Sequence, residues 1–177
     1  MNRLLLSCIC AAIACFSTAA MLPDLQAAEP PLSAQRQPTR STSERIARQF
    51  IRQIEAENVQ ELSNLLSENV VLEQPFQLPG RPNRFEGKLG VQWFFQGINQ
   101  TFSTIRFENL RTIVSADGQT VTLEGQGNFV IAENGLPYQN VYITVLQIEG
   151  GKITAVREYF NPLIIAQAFN IDLTRGR

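Results

Sequence analysis

In the stretch ITAVREYFNP, residues 153–162, Arg157 and Glu158 stand side by side among apolar neighbours. The stretch has the β-branched and aromatic content of a strand, in which successive side chains point to opposite faces. Glu158 then shares a face with Thr154, Val156 and Phe160, and Arg157 shares the other with Ile153, Ala155 and Tyr159. A carboxyl held among apolar groups has a raised pKa and serves as a general acid or base near neutral pH. The competing role for Glu158 is structural: a partner for Arg106, Arg111 or a backbone N–H that holds a sheet together. Arg157 is expected on the outer face, bridging to solvent or across an interface.

A second polar pair, Glu73-Gln74, stands just before Pro75 in the short strand NVVLEQPF. The two straddle a strand, so only one faces inward. Gln74 can hydrogen-bond a ligand carbonyl, or merely satisfy the loop that follows it. Tyr142 and Thr144 lie two apart in YQNVYITVLQIE and are placed inward with Leu146 and Ile148. Tyr142 can donate to a bound oxygen. Phe50, Trp93, Phe94, Phe95, Phe129 and Phe160 are placed on the wall or floor of the same interior, where buried aromatics are core material before they are a ligand box. The sequence contains no histidine, which removes Ser-His-Asp and Cys-His catalysis and the commonest transition-metal ligand. No metal site and no cofactor are expected. Net charge is −1, which gives no electrostatic ground for nucleic acid or anionic membrane as partner.

These residues need elements to position them. Residues 43–54 carry Ile46, Ala47, Phe50, Ile51 and Ile54 at helical spacing behind Ser43 as N-cap. Val59–Leu66 predicts a second, short helix, and Lys88–Gln100 a third that buries Val91, Phe94, Phe95 and Ile98. QLPGRPNRFEG is dense in Pro and Gly and reads as a loop, placed over the mouth as a lid with Arg81 and Arg84. The second half predicts four strands joined by tight turns at ADGQ, ENG and GG. In TVTLEGQGNFVIA the residues Val121, Leu123, Gly125, Gly127, Phe129 and Ile131 share one face. Leu163–Phe169 is a last short helix. The triplet Asn99-Gln100-Thr101 matches a glycosylation acceptor but sits at a predicted helix end. Helices followed by an antiparallel meander make an α+β domain. The stretch Val141–Leu146 is apolar on both faces, so its outer side needs cover, and a homodimer through the sheet supplies it.

Ahead of this domain, Met1-Asn2-Arg3 and the apolar run Leu4–Ala20 have the layout of a secretory signal, with cleavage after Ala27 or Ala28, or alternatively after Ala19 or Ala20. A membrane anchor is the other reading of that run, and a lipid on Cys15 a third. All three cysteines, Cys8, Cys10 and Cys15, lie there, so the exported chain has no disulfide. The expected organisation is a signal peptide over 1–28, a disordered linker over 29–42, one domain over 43–170 and a tail over 171–177, in a periplasmic or secreted protein.

The order of elements, together with YQNVYITVLQIEGGKITAVREYFNP, resembles the SnoaL-like branch of the nuclear-transport-factor-2-like superfamily over roughly residues 43–169. The strand-Gly-Lys-Ile-strand-Arg-Glu-Tyr-Phe-Asn ending is similar to that of phenazine-biosynthesis A/B proteins and SnoaL-like polyketide cyclase relatives. The resemblance implies a conical barrel of strongly curved, mostly antiparallel sheet on three N-terminal helices, often dimeric, with a pocket for a small, largely apolar molecule. It does not imply one activity, since such folds host isomerases, cyclases, dehydratases and binding domains. Against the ketosteroid isomerases, the Tyr position falls on Phe50, the Asp base on Gln74 and the second Asp near Thr144, and none keeps the needed group. Against the phenazine-type proteins, the pocket glutamate falls on Glu158, and the acid-His pair falls on Glu73-Gln74, with Gln in place of His. One acid survives. The sequence thus supports an exported binding protein, a single-carboxylate isomerase, cyclase or lyase using Glu158, or a dimeric interaction module without ligand. The site residues expected are Glu158 as the acid or base, with Gln74, Tyr142, Thr144, Phe50, Trp93 and Phe160 around the ligand.

Overall fold

The structure, a computed structural model, describes residues 39–173. The signal segment, the three cysteines and most of the linker lie outside the described residues. Ten elements follow in order: α1 (Arg40–Glu55), α2 (Val59–Leu65), β1 (Leu66–Glu73), β2 (Arg84–Glu86), α3 (Gly87–Thr101), β3 (Phe102–Val114), β4 (Thr120–Ile131), β5 (Pro137–Glu149), β6 (Lys152–Tyr159) and α4 (Pro162–Ala168). Among the described residues, no helix is long and apolar enough to cross a membrane.

Helix α1 starts earlier than its apolar spacing suggests. Thr39 is the N-cap, its hydroxyl accepting from the Thr42 N–H at 3.3 Å. Ser43, expected as the cap, is instead buried inside the helix, and its hydroxyl donates to the Gly118 carbonyl at 2.5 Å. That bond ties α1 to the turn between β3 and β4. Ile46, Ala47, Phe50, Ile51 and Ile54 do form its buried stripe. Asn58 caps α2 by accepting from the Glu61 N–H at 3.0 Å.

The six strands form one curved sheet in the order β2-β1-β6-β5-β4-β3. All pairings are antiparallel except β1 with β6. The α+β class and the curvature are as expected, but the sheet does not close into a barrel: β2 and β3 remain as its two edges. β2 is a strand within the Pro/Gly-rich stretch read as loop. Its three residues gain strand geometry by pairing with β1, Leu72 against Phe85, and its own sequence carries no periodicity to announce it.

Alternation along β4 and β5 sorts their side chains cleanly. Val121, Leu123, Phe129 and Ile131 of β4 and Tyr138, Tyr142, Leu146 and Ile148 of β5 are buried on the inner face. Together with α1, α2 and α3 they make one continuous core. Each fully buried aliphatic side chain there contributes about 1.5–3 kcal/mol. On the outer face Val141 is 56% and Ile143 41% exposed, and Phe76 rests edge-on against Tyr159 at 5.7 Å.

Candidate functional site

The register of the one parallel pairing builds the site. Glu73 of β1 stands opposite Arg157 of β6, so the next residues, Gln74 and Glu158, meet on the inner side. On the outer face Arg157 Nε lies 3.3 Å from Glu73 Oε2, and Arg84 of β2 also pairs with Glu73. On the inner face Gln74 Nε2 donates to Glu158 Oε2 at 2.7 Å. The adjacent charges of β6 are thereby divided. Arg157 joins an exposed network within its own chain, worth little to stability, and Glu158 faces the interior. Neither arginine considered as its partner reaches it: Arg106 donates to the Glu55 carbonyl at 3.1 Å, and Arg111 pairs with Glu124 at 2.5 Å.

Glu158 lies on the wall of a cavity of about 560 Å³ between the sheet and the helices. Such a volume suits a small organic ligand. The wall is mostly aromatic and aliphatic, with Phe94, Phe95, Phe102, Phe107, Phe129 and Phe160 prominent. Exposed lining residues, among them Arg81, Trp93, Gly97 and Glu133, mark where it meets solvent. Burial pushes the Glu158 carboxyl above its usual range, and the Gln74 hydrogen bond offsets part of that rise. Its Oε1 takes no hydrogen bond from any described residue and is open to the lumen.

Gln74 is itself held. Gln77 Nε2 donates to Gln74 Oε1 at 2.7 Å, and the Leu78 N–H donates to Gln77 Oε1 at 2.8 Å. On the same wall a second polar group comes from β5, the strand next to β6. The Tyr138 and Tyr142 hydroxyls are 3.2 Å apart, and Asn140 Nδ2 donates to the Tyr138 oxygen at 2.8 Å. Asn140 is anchored in turn, donating to the Asn161 carbonyl at 3.0 Å and accepting from the Asn161 N–H at 3.1 Å. Burial raises both phenols, Tyr142 well above its usual value, and the charge of Glu158 adds to the rise in each. Both are neutral at physiological pH; one O–H is spent between the two oxygens, which leaves the other to donate to a ligand oxygen.

Gly127 makes room for this arrangement. A Cβ there would lie 2.6 Å from Tyr142 Cε2 and 2.9 Å from Phe129 Cε1 and Cζ. Gly127→Ala is expected to displace the Tyr142 ring and cost about 1–3 kcal/mol by overpacking. Urea denaturation measures it; a loss under about 0.5 kcal/mol, the range of a neutral surface change, would show that the rings yield freely.

Of the residues expected from sequence, Glu158, Gln74, Tyr142, Trp93 and Phe160 line the cavity. Phe50 and Thr144 do not, which corrects their placement. Phe50 is buried in the core behind the wall, its ring edge-on to Phe95 at 5.7 Å. Thr144 is buried opposite Glu158 in the β5–β6 register, without a place on the cavity wall. In the loop over the mouth, Arg81 lines the cavity, while Arg84 belongs to the outer network. Sequence reasoning missed Tyr138, Asn140 and Gln77. The first two continue the alternation of Tyr142 backwards by four and two positions, a signal present in YQNVY. Gln77 lies in an irregular loop and has no such signal.

Residues 47–156 match the model of the SnoaL-like domain. The uncharacterised protein YesE of Bacillus subtilis is 32% identical over 122 residues, which cover 69% of this chain and 83% of YesE. A crystal structure of a candidate isomerase from Bacillus subtilis superposes with a TM-score of 0.70 at 28% identity, over 76% of this chain and 98% of that one. A candidate polyketide cyclase of Pseudomonas putida superposes with a TM-score of 0.63 at 20% identity, over 71% of this chain and 96% of its own.

Proposed function

The chain belongs to the SnoaL-like domain family, with a nuclear-transport-factor-2-like fold, and from that premise we propose that it binds a small, largely apolar molecule in its aromatic-walled cavity. One observation carries the reading. The apolar wall is interrupted by an inner polar cluster, Glu158 and Gln74 with Tyr138 and Tyr142, and such a cluster orients a ligand whose body is held by rings. The neutral fluorophore N-phenyl-1-naphthylamine tests it. Saturable binding at micromolar concentration is expected. Gly97→Trp should weaken that binding about tenfold, because Gly97 lies at the cavity rim with nothing within 4 Å of the Cβ position, so the indole blocks the entrance without disturbing the core. No binding by the native chain, or unchanged binding in Gly97→Trp, would sink the reading.

A second reading is favoured by Glu158 itself: a carboxyl of raised pKa with one oxygen open to the lumen is equipped for proton transfer, as in an isomerase, cyclase or lyase. Loss of turnover in Glu158→Gln with probe binding retained separates it from pure binding.

Two accompaniments belong to the same proposal. Export rests on the composition of residues 1–28, and a mature N-terminus at residue 28 or 29 by mass spectrometry checks it. A homodimer through the outer face rests on the exposed Val141 and Ile143, with Tyr159 beside them in the β5–β6 register. Sedimentation should give a dimer for the native chain and a monomer for Ile143→Glu; a native monomer at micromolar concentration refutes it.

A further inference from the structure

The hydrogen bonds between the loop after β1 and the cavity carboxyl have a fixed direction. A backbone N–H can only donate, so the Leu78 N–H, at 2.8 Å, requires the oxygen of Gln77 to face it. The Gln77 amide must then present Nε2 to Gln74, at 2.7 Å. Gln74 Oε1 is thereby taken, and its Nε2 is left to donate to Glu158 Oε2 at 2.7 Å. A carboxyl oxygen accepting from an amide N–H toward that lone-pair direction is the unprotonated one, so the proton of a neutral Glu158 belongs on Oε1, which opens on the lumen.

We propose that Gln77 is the positioning residue of the cavity carboxyl: through Gln74 it holds the amide that stabilises the Glu158 anion, and it places the proton of the neutral form on the oxygen that faces the ligand. Gln77 acts through another side chain: its hydrogen bonds go to Gln74 and the Leu78 N–H, not to Glu158. Its consequence for a ligand rests on the binding reading above, namely that the inner end offers an O–H to an acceptor oxygen in one state and a carboxylate in the other. The relay also ties the charge of the site to the loop at its mouth, since Leu78 closes a turn by accepting from the Arg81 N–H at 3.2 Å and Arg81 lines the rim. The other titratable or charged groups on the cavity wall are Tyr138 and Tyr142 from β5, Arg81 from the loop and Glu133 from the β4–β5 turn. β6 adds none besides Glu158, and the wall residues from α1, α3, β3 and α4 are uncharged.

Residue-resolved carboxyl NMR of the full domain, titrated with acid and base, tests the proposal on Glu158 itself and needs no ligand. Failure of probe binding therefore leaves this test standing, and failure of this test leaves the binding reading standing. In the native protein the Gln74 side-chain amide resonance should follow the Glu158 titration. In Gln77→Leu the Glu158 midpoint should shift upward, because the Gln74 amide is free to turn its donor away from the carboxylate. In Gln74→Leu it should shift upward too, and adding Gln77→Leu to that variant should produce no further shift. An unchanged midpoint in Gln77→Leu, or an equal increment in both backgrounds, overturns the relay. Gln77→Ala is read in the same way if the leucine variant does not fold.

Discussion

Glu158→Gln is expected to stabilise the fold at neutral and alkaline pH and to leave its stability unchanged in acid. The amide is nearly isosteric, and its oxygen can still accept from Gln74 Nε2. What disappears is the cost of ionising a carboxyl in an apolar cavity. The folded pKa of Glu158 is raised above the ordinary 4.5 by burial. Between those two values the folded state holds a proton that the unfolded state has released, so stability declines as pH rises. The contribution of the protonated form is whole below the unfolded value, falls away through the folded one, and is absent above it. The penalty relieved by the substitution is about 1.4 kcal/mol for each pH unit by which the pKa is raised. Urea denaturation of both proteins should give equal stability near pH ~4 and a more stable variant near pH ~8, a window set by the direction of the shift. A variant less stable at the higher pH would mean that the carboxylate is stabilised in the fold by more than Gln74. Where the site turns a substrate over by general acid or base catalysis, the same change should lower kcat by roughly 10²–10⁴-fold.

Phe129→Ala is expected to carry the largest cost in stability. The ring of Phe129 meets Phe102 at 5.1 Å, Phe107 at 5.4 Å, and Tyr138 and Tyr142 each at 5.7 Å between centroids. It is 6% exposed and forms part of both the core and the cavity wall. Truncating a buried phenylalanine costs about 3–5 kcal/mol, a large part of the roughly 5–15 kcal/mol that holds a domain together. Aromatic pairs add about 0.5–1.5 kcal/mol beyond area, and four are lost together, so the upper part of that range is expected. The midpoint of thermal or urea unfolding measures the loss. A change below about 1 kcal/mol would show that the wall collapses onto the vacated space, and the packed ring cluster would not be the support of the tyrosine pair.

How much of this could be read from sequence depends on what kind of information each feature needs. The inner sets of β4 and β5, and the opposite faces of Arg157 and Glu158, follow from parity: side chains alternate along a strand, and one face was apolar enough to identify. The helical stripes of α1 and α3 follow from spacing in the same way. Parity and spacing say which face a residue occupies. They do not say whether that face meets packed side chains or an open cavity, which is why Phe50 and Phe129 looked alike and only one lies on the wall.

By itself, then, the sequence determined the class of fold, the inward direction of a lone carboxyl and the loss of any histidine-based chemistry. Tertiary structure decided its partners. Gln74 and Glu158 are 84 residues apart and meet because β1 and β6 pair in parallel in one register; a shift of a single residue would turn one of them to the outer face. The amide orientation of Gln74 is settled close by in the chain, through Gln77 and the Leu78 backbone N–H, in an irregular loop that no periodicity marks. Local periodicity encodes direction, whereas register and cavity shape arise only when distant segments are brought together, and the polarity of the hydrogen bonds is set by a loop without a period.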